Sequence, residues 1–258
     1  MNLSFVKHKK SLAIIALATT MTFASCNKDK DAPALPSVTS MDAGTSDFGG
    51  SAKTEGVAYG LVTLGIAYWN TAIAINLAVP VASFKEAFNH TAVYDSKAKE
   101  WIWSYDVKVG FLTYTANLHA SEDGDNIKWK MLLSQKSGFQ NFEWYTGTSK
   151  KDGTSGQWKL NKDVTSPTGY IQIDWTKASD GTHSTKFLLT DPNDVNYTSY
   201  IDYSVTNETE FNGHYNIFEV GKGLTQVMWN KTDKHGKVIN NASTSYCWDN
   251  ATNDVTCQ

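Results

Sequence analysis

From residue 91 onward the chain alternates between apolar and polar positions. Trp101, Trp103, Tyr105, Val107 and Val109 are separated by Ile102, Ser104, Asp106 and Lys108. Leu112, Tyr114, Ala116, Leu118 and Ala120 repeat the pattern, as do Ile127, Trp129, Met131 and Leu133. A period of two marks a strand with one buried face. Further strands are expected over 139–148, 157–162, 169–177, 184–189, 195–205, 213–220, 225–231 and 243–248. Turn signals fall between the runs, among them Asp123-Gly124, Asp152-Gly153, Asp180-Gly181, Gly221-Lys222-Gly223 and His235-Gly236. Such pairs supply the positive φ that tight hairpins need. About ten strands joined by short turns, with no helical pattern between them, predict a mainly β fold. They should form an antiparallel meander curled into a strongly curved sheet or open barrel.

Ahead of the strands the texture differs. Residues 56–84 carry no charge. Val57, Leu61, Leu64, Tyr68, Ala72, Ile75 and Val79 recur at helical spacing, and Val62, Ile66, Trp69, Ile73 and Leu77 form a second such set. Apolar residues on nearly all sides predict a buried helix over 56–79, ended or kinked by Pro80, with a short second piece over 81–89. The length also suits a membrane span. Asn70, Thr71 and Asn76 near the middle oppose that reading, so the helix is expected to fill the concave face of the sheet.

Residues 1–25 have a basic start (Lys7, His8, Lys9, Lys10), an apolar stretch over 12–23, and the small residues Ala24 and Ser25 before Cys26. This is the layout of an export signal. With a cysteine at its end it resembles the signals of bacterial lipoproteins, although Phe23 stands where those more often carry an aliphatic residue. The resemblance implies that Cys26 is acylated and becomes the mature N-terminus. The charged run Asn27-Lys28-Asp29-Lys30-Asp31 looks like the tag by which some Gram-negative lineages send lipoproteins to the cell surface. An outer-membrane protein held by its acyl chains is therefore expected. Residues 26–55, poor in bulky apolar side chains, read as a lipidated flexible tether, leaving 56–258 as a single helix-plus-meander domain. That architecture is similar to the half-barrels of the lipoprotein-localisation and lipid-carrier proteins of Gram-negative envelopes. No motif accompanies the similarity.

Charge and cysteines narrow the function. The chain carries net −3 and no arginine. Loss of residues 1–25 removes three lysines and no acid, leaving the mature chain near −6. Both facts argue against nucleic-acid binding and phosphate-centred catalysis. With Cys26 acylated, Cys247 and Cys257 remain as a disulfide pair in an oxidising compartment. Two free thiols, or half of a metal site, are the rival readings. No sequence motif points to a cofactor, and the histidines share no spacing that would place two on one face. Asp106, Glu143, Asp174 and Asp202 fall within strand runs, where two could face one groove as in a glycan hydrolase.

Eight of the nine tryptophans lie among the strands, nearly one per strand. Most should be core. Phe142, Trp144 and Tyr145 are the candidate exceptions, because consecutive aromatics in a regular strand cannot all point inward. They are the candidate ligand-binding residues. The expectation is a non-enzymatic outer-envelope lipoprotein binding a hydrophobic or carbohydrate ligand on its curved sheet. A structural or interaction lipoprotein without a small ligand is the alternative, and a glycan hydrolase a distant third.

Overall fold

The computed structural model describes residues 31–44, 56–241 and 244–257. Residues 1–25 and Cys26, on which the export and anchoring readings rest, lie outside that range. Among these residues fourteen strands follow one α-helix: β1 (Val93–Asp95), β2 (Glu100–Val109), β3 (Leu112–Asp123), β4 (Asn126–Gln135), β5 (Phe142–Lys150), β6 (Ser155–Asn161), β7 (Gly169–Lys177), β8 (His183–Leu189), β9 (Tyr200–Val205), β10 (Gly213–Glu219), β11 (Gly223–Trp229), β12 (Gly236–Asn240), β13 (Thr244–Trp248) and β14 (Asp254–Val255). Each pairs antiparallel with its chain neighbours in one unbroken meander, and β1 does not meet β14, so the sheet is open. The expected ten strands become fourteen chiefly because β1, β12 and β14 have three, five and two residues. β1 and β14 are too short to show an alternating pattern, and β12 offers only Val238 as an inward apolar side chain, between Gly236 and Asn240.

The sheet bends around its apolar face. In a flat sheet, strands two apart lie about 9.6 Å from each other. Yet the rings of Trp103 (β2) and Trp129 (β4) are 5.9 Å apart, and those of Tyr203 (β9) and Trp229 (β11) 6.2 Å. Glycines on neighbouring strands make room for this crowd. Trp158 lies over Gly147, Trp229 over Gly213 and Trp248 over Gly236, where a Cβ would overlap the indole. Every one of the nine tryptophans is buried, which fits their reading as core.

The helix α1 (Val57–Glu86) crosses the concave side. Its N-terminal end meets β12–β14 and its C-terminal end meets β2. Gly60, Gly65 and Pro80 together cost roughly 5 kcal/mol of helix propensity. Burial of Trp69 alone offsets a similar amount, at about 25 cal/mol per Å² over some 200 Å². Packing rather than propensity holds this helix. It runs on through Pro80, where an end or a kink was expected. The next turn is fixed by Phe84, whose ring lies 5.3 Å from Trp158, and by the Tyr105 hydroxyl, which donates to the Ser83 carbonyl at 2.6 Å. A 3-10 turn (Ala87–Asn89) then leads to β1.

Two expectations need correction. The helix is not buried on all sides. Val62, Ile66, Trp69 and Leu77 face the sheet, whereas Val57 and Leu64 are 64% and 72% exposed and Leu61 and Tyr68 are also open to solvent. No helix among the described residues is long and apolar enough to cross a membrane. Nor is the described part of 26–55 a tether. Met41 and Ala43 are buried, and a 3-10 turn (Val38–Met41) packs on β7 and β8. Trp158 Nε1 donates to Ser40 Oγ at 3.2 Å, Thr185 Oγ1 to the Thr39 carbonyl at 3.1 Å, and the Tyr215 hydroxyl to the Ala43 carbonyl at 2.9 Å. Small polar residues read as linker, but here the inner face of the sheet offers an indole donor to the Ser40 hydroxyl and hydroxyl donors to the Thr39 and Ala43 carbonyls. The compact unit therefore begins at Asp31 rather than at residue 56.

Candidate functional site

Phe142, Trp144 and Tyr145 stand at a bulge. Met131 pairs with Tyr145 and Leu132 with Glu143, so Trp144 is an extra residue with no opposite number. A bulge lets two successive side chains turn to one face. Tyr145 is fully buried, with its ring 5.4 Å from Trp158. Trp144 is 9% exposed and packs with Phe139, Phe142 and Tyr114. Phe142 is half-buried. The expectation that consecutive aromatics must face opposite ways fails here, and these residues pack the core rather than line an open groove. Burial pushes the Tyr145 hydroxyl well above the usual phenol range, with Tyr105 adding to the shift.

Another hollow lies where the N-terminal half of α1 passes over β10, β11 and β12. Its volume is about 350 Å³, at the small end for ligand sites. Leu61, Val62, Leu64, Gly65 and Tyr68 form the helix wall, and Ile217, Glu219, Thr225, Val227 and Asn240 the sheet wall, with Lys222 and Asn241 at the rim. The register aligns Ile217, Thr225 and Asn240 in one row across the three strands, on the face that carries tryptophan and tyrosine elsewhere. Thr225 and Asn240, short and polar, cannot fill the gap below the helix. Gly65 keeps the helix wall low, since a Cβ there would meet only Ile217 Cδ1, at 3.8 Å.

The helix wall of the hollow is mainly apolar, and the sheet wall mixes Ile217 and Val227 with polar side chains. Lys222 pairs with Glu219 at 3.2 Å and lies 5.7 Å from the centre of the Tyr68 ring. Thr225 Oγ1 donates to Asn240 Oδ1 at 3.2 Å. The Tyr68 hydroxyl is raised, first by burial and then by Glu219 and Asp194, with Lys222 opposing. Such a site can hold an apolar body against Leu61, Leu64 and Tyr68 while a polar end meets the Glu219–Lys222 pair. Sequence reasoning missed it, although a signal was present: Glu219, Thr225 and Asn240 occupy inward positions of their strands with polar side chains.

The strand carboxylates do not form a cleft of their own. Asp106, Glu143, Asp174 and Asp202 sit on the convex face. Thr115 Oγ1 donates to Asp106 at 2.8 Å, and Gln157 and Gln172 donate to the two oxygens of Asp174 at 2.7 and 2.8 Å. Lys186 lies between Asp174 and Asp202 in the cross-strand row. Burial raises the Asp202 carboxyl, and Lys186 opposes the shift. Among the described residues no three of His, Cys, Asp and Glu gather as a metal site would require.

At the last edge of the sheet, Cys247 and Cys257 are joined, with Cα atoms 5.2 Å apart. The bond closes a loop that returns β14 to the helix start. Asp254 Oδ2 accepts the Val57 N–H and Oδ1 the Ala58 N–H, both at 2.9 Å, and the Thr252 carbonyl accepts the Gly56 N–H at 2.9 Å. Gly56 has no side chain to cap the helix, so the cap comes from nearly two hundred residues away. Comparison with family models, with curated proteins and with solved structures found no match to this chain.

Proposed function

We propose that this chain is a non-enzymatic lipoprotein of the outer envelope, held by acyl groups on Cys26, that binds a small amphipathic ligand beneath the N-terminal half of α1. The single observation that carries the binding reading is the hollow between α1 and β10–β12, with an apolar wall, the Glu219–Lys222 pair at its margin and no side chain at Gly65. A mainly hydrophobic ligand suits it better than a carbohydrate, because burial of every tryptophan leaves no open indole on which a sugar ring could stack. A carrier that wraps a lipid in its concave face suits it less, because α1 and residues 35–44 occupy that face. The anchoring reading rests on the basic, apolar and small-residue zones that end at Cys26, and surface exposure on the charged run after it. Several acyl chains on one residue give durable attachment, at about 0.8 kcal/mol per buried CH₂.

Two measurements test this. Native mass spectrometry of chain purified without detergent should release a small bound mass, and Gly65→Phe should abolish it while leaving the unfolding midpoint nearly unchanged. Protein that is always empty overturns the binding reading. Cys26→Ser should move the protein from the membrane fraction to the soluble one; retention in the membrane overturns the anchoring reading.

A further inference from the structure

The first edge of the sheet is only partly covered. β1 pairs with β2 over Glu100–Ile102 alone, whereas β2 continues to Val109. The chain entering β1 flanks the next stretch, with the His90 ring stacked on Tyr105 at 4.7 Å. Beyond that, among the described residues, no strand pairs with the outer side of residues 106–109. A row of open N–H and C=O groups is a template for another strand.

Two further features mark this edge. Asp106 and Lys108 are both exposed on its convex side. The two-residue turn that ends β2 has Gly110 at φ +59° followed by Phe111, the most exposed large apolar residue among those described, at 109%. An open hollow of about 600 Å³ lies a few residues back along the same edge, lined in part by Thr91, Val93, Ile102 and Ser104.

We infer that the β2 edge is an isologous interface for a second copy of this chain, joining two sheets antiparallel about a two-fold axis at Val107. Three registers keep the buried faces aligned near this point. Centring on 106 or 108 sets like charges face to face. Centring on 107 sets Asp106 of each copy opposite Lys108 of the other, so the edge is complementary to itself in that register alone. The same operation carries Phe111 past the end of the new ladder to the level of residue 103 of the partner copy. There it covers the hollow beside Val93, itself 72% exposed. The interface is small, so the free protein should associate in the micromolar range. Anchoring both copies in one membrane raises their effective concentration.

The test uses sedimentation of the full chain carrying Cys26→Ser, so that acyl groups drive no association, at low ionic strength. The wild-type surface should give a concentration-dependent dimer. Asp106→Lys and Lys108→Glu should each weaken it about tenfold, because each sets two like-charge pairs across the axis. An equimolar mixture of those two variants should recover the dimer, because every facing pair is then opposite in charge. Phe111→Ser, at a fully exposed site, should also weaken it tenfold or more. A chain that stays monomeric at all concentrations overturns the inference, as does a dimer indifferent to these changes. Neither result bears on the hollow beneath α1.

Discussion

At the last edge of the sheet, the two residues of β14 are tied down several times over: by the Cys247–Cys257 bond, by Asp254 and Thr252 at the start of α1, and by Tyr59, whose ring lies 5.8 Å from Trp248. At the first edge, the three residues of β1 have no covalent tie. The turn into β2 holds Lys99 at φ +59°, a region costly for a side chain, and among the described residues no strand pairs with the edge beyond. A strand of two or three residues contributes too few ladder bonds to persist alone. The last edge persists because it shares its hydrogen bonds with a helix that needs a cap. The first edge is left short, and its uncovered part stays available.

The contrast can be broken at its strongest point. Replacing Cys247 and Cys257 by alanine should cost about 2–3 kcal/mol for a loop this short, read from urea unfolding. Amide exchange should then quicken at residues 57–61 and 252–256 while 93–102 stay unchanged. Asp254→Ala leaves two helix N–H groups without their acceptor and should cost about 1–2 kcal/mol, with Asp254→Asn recovering part of it. Repairing the first edge should have the opposite sign. Lys99→Gly relieves the left-handed backbone and should stabilise by about 0.5 kcal/mol, the relief being partly offset by the freer unfolded chain. Acid gives the gentlest test. Backbone and side-chain hydrogen bonds from Asn253, with a further N–H from Ala251, hold the Asp249 carboxyl below the usual range. Its folded pKa is the lower one, so its stabilisation is present above the unfolded value of about 4 and is lost as pH falls through the folded value. Trp248 fluorescence should therefore report loosening of the last edge below about pH 4, before the first edge responds.

Much of this was legible in the chain. The strands with four or more alternating positions were readable, as were the turns at Gly124, Gly153 and Gly181, which the structure holds at positive φ. The Cys247–Cys257 pairing was read from the cysteine count and an expected export, and the structure joins the two. The short strands were not readable, and neither was the bulge at Trp144, which depends on the partner strand running one residue short. The hollow lay between. Its polar inward residues were visible, but the helix above them could not be placed, because two apolar stripes on α1 competed for the sheet.

Sequence alone determined the alternation, the turns and the composition of the core, because a period of two and a positive φ are local properties of consecutive residues. Tertiary structure decided which stripe of α1 is buried, that Met41 and Ala43 join the core, and that Asp254 caps a helix begun at Val57. Each of those outcomes depends on which groups face one another across the concave side, and no local pattern records what lies opposite a residue in space.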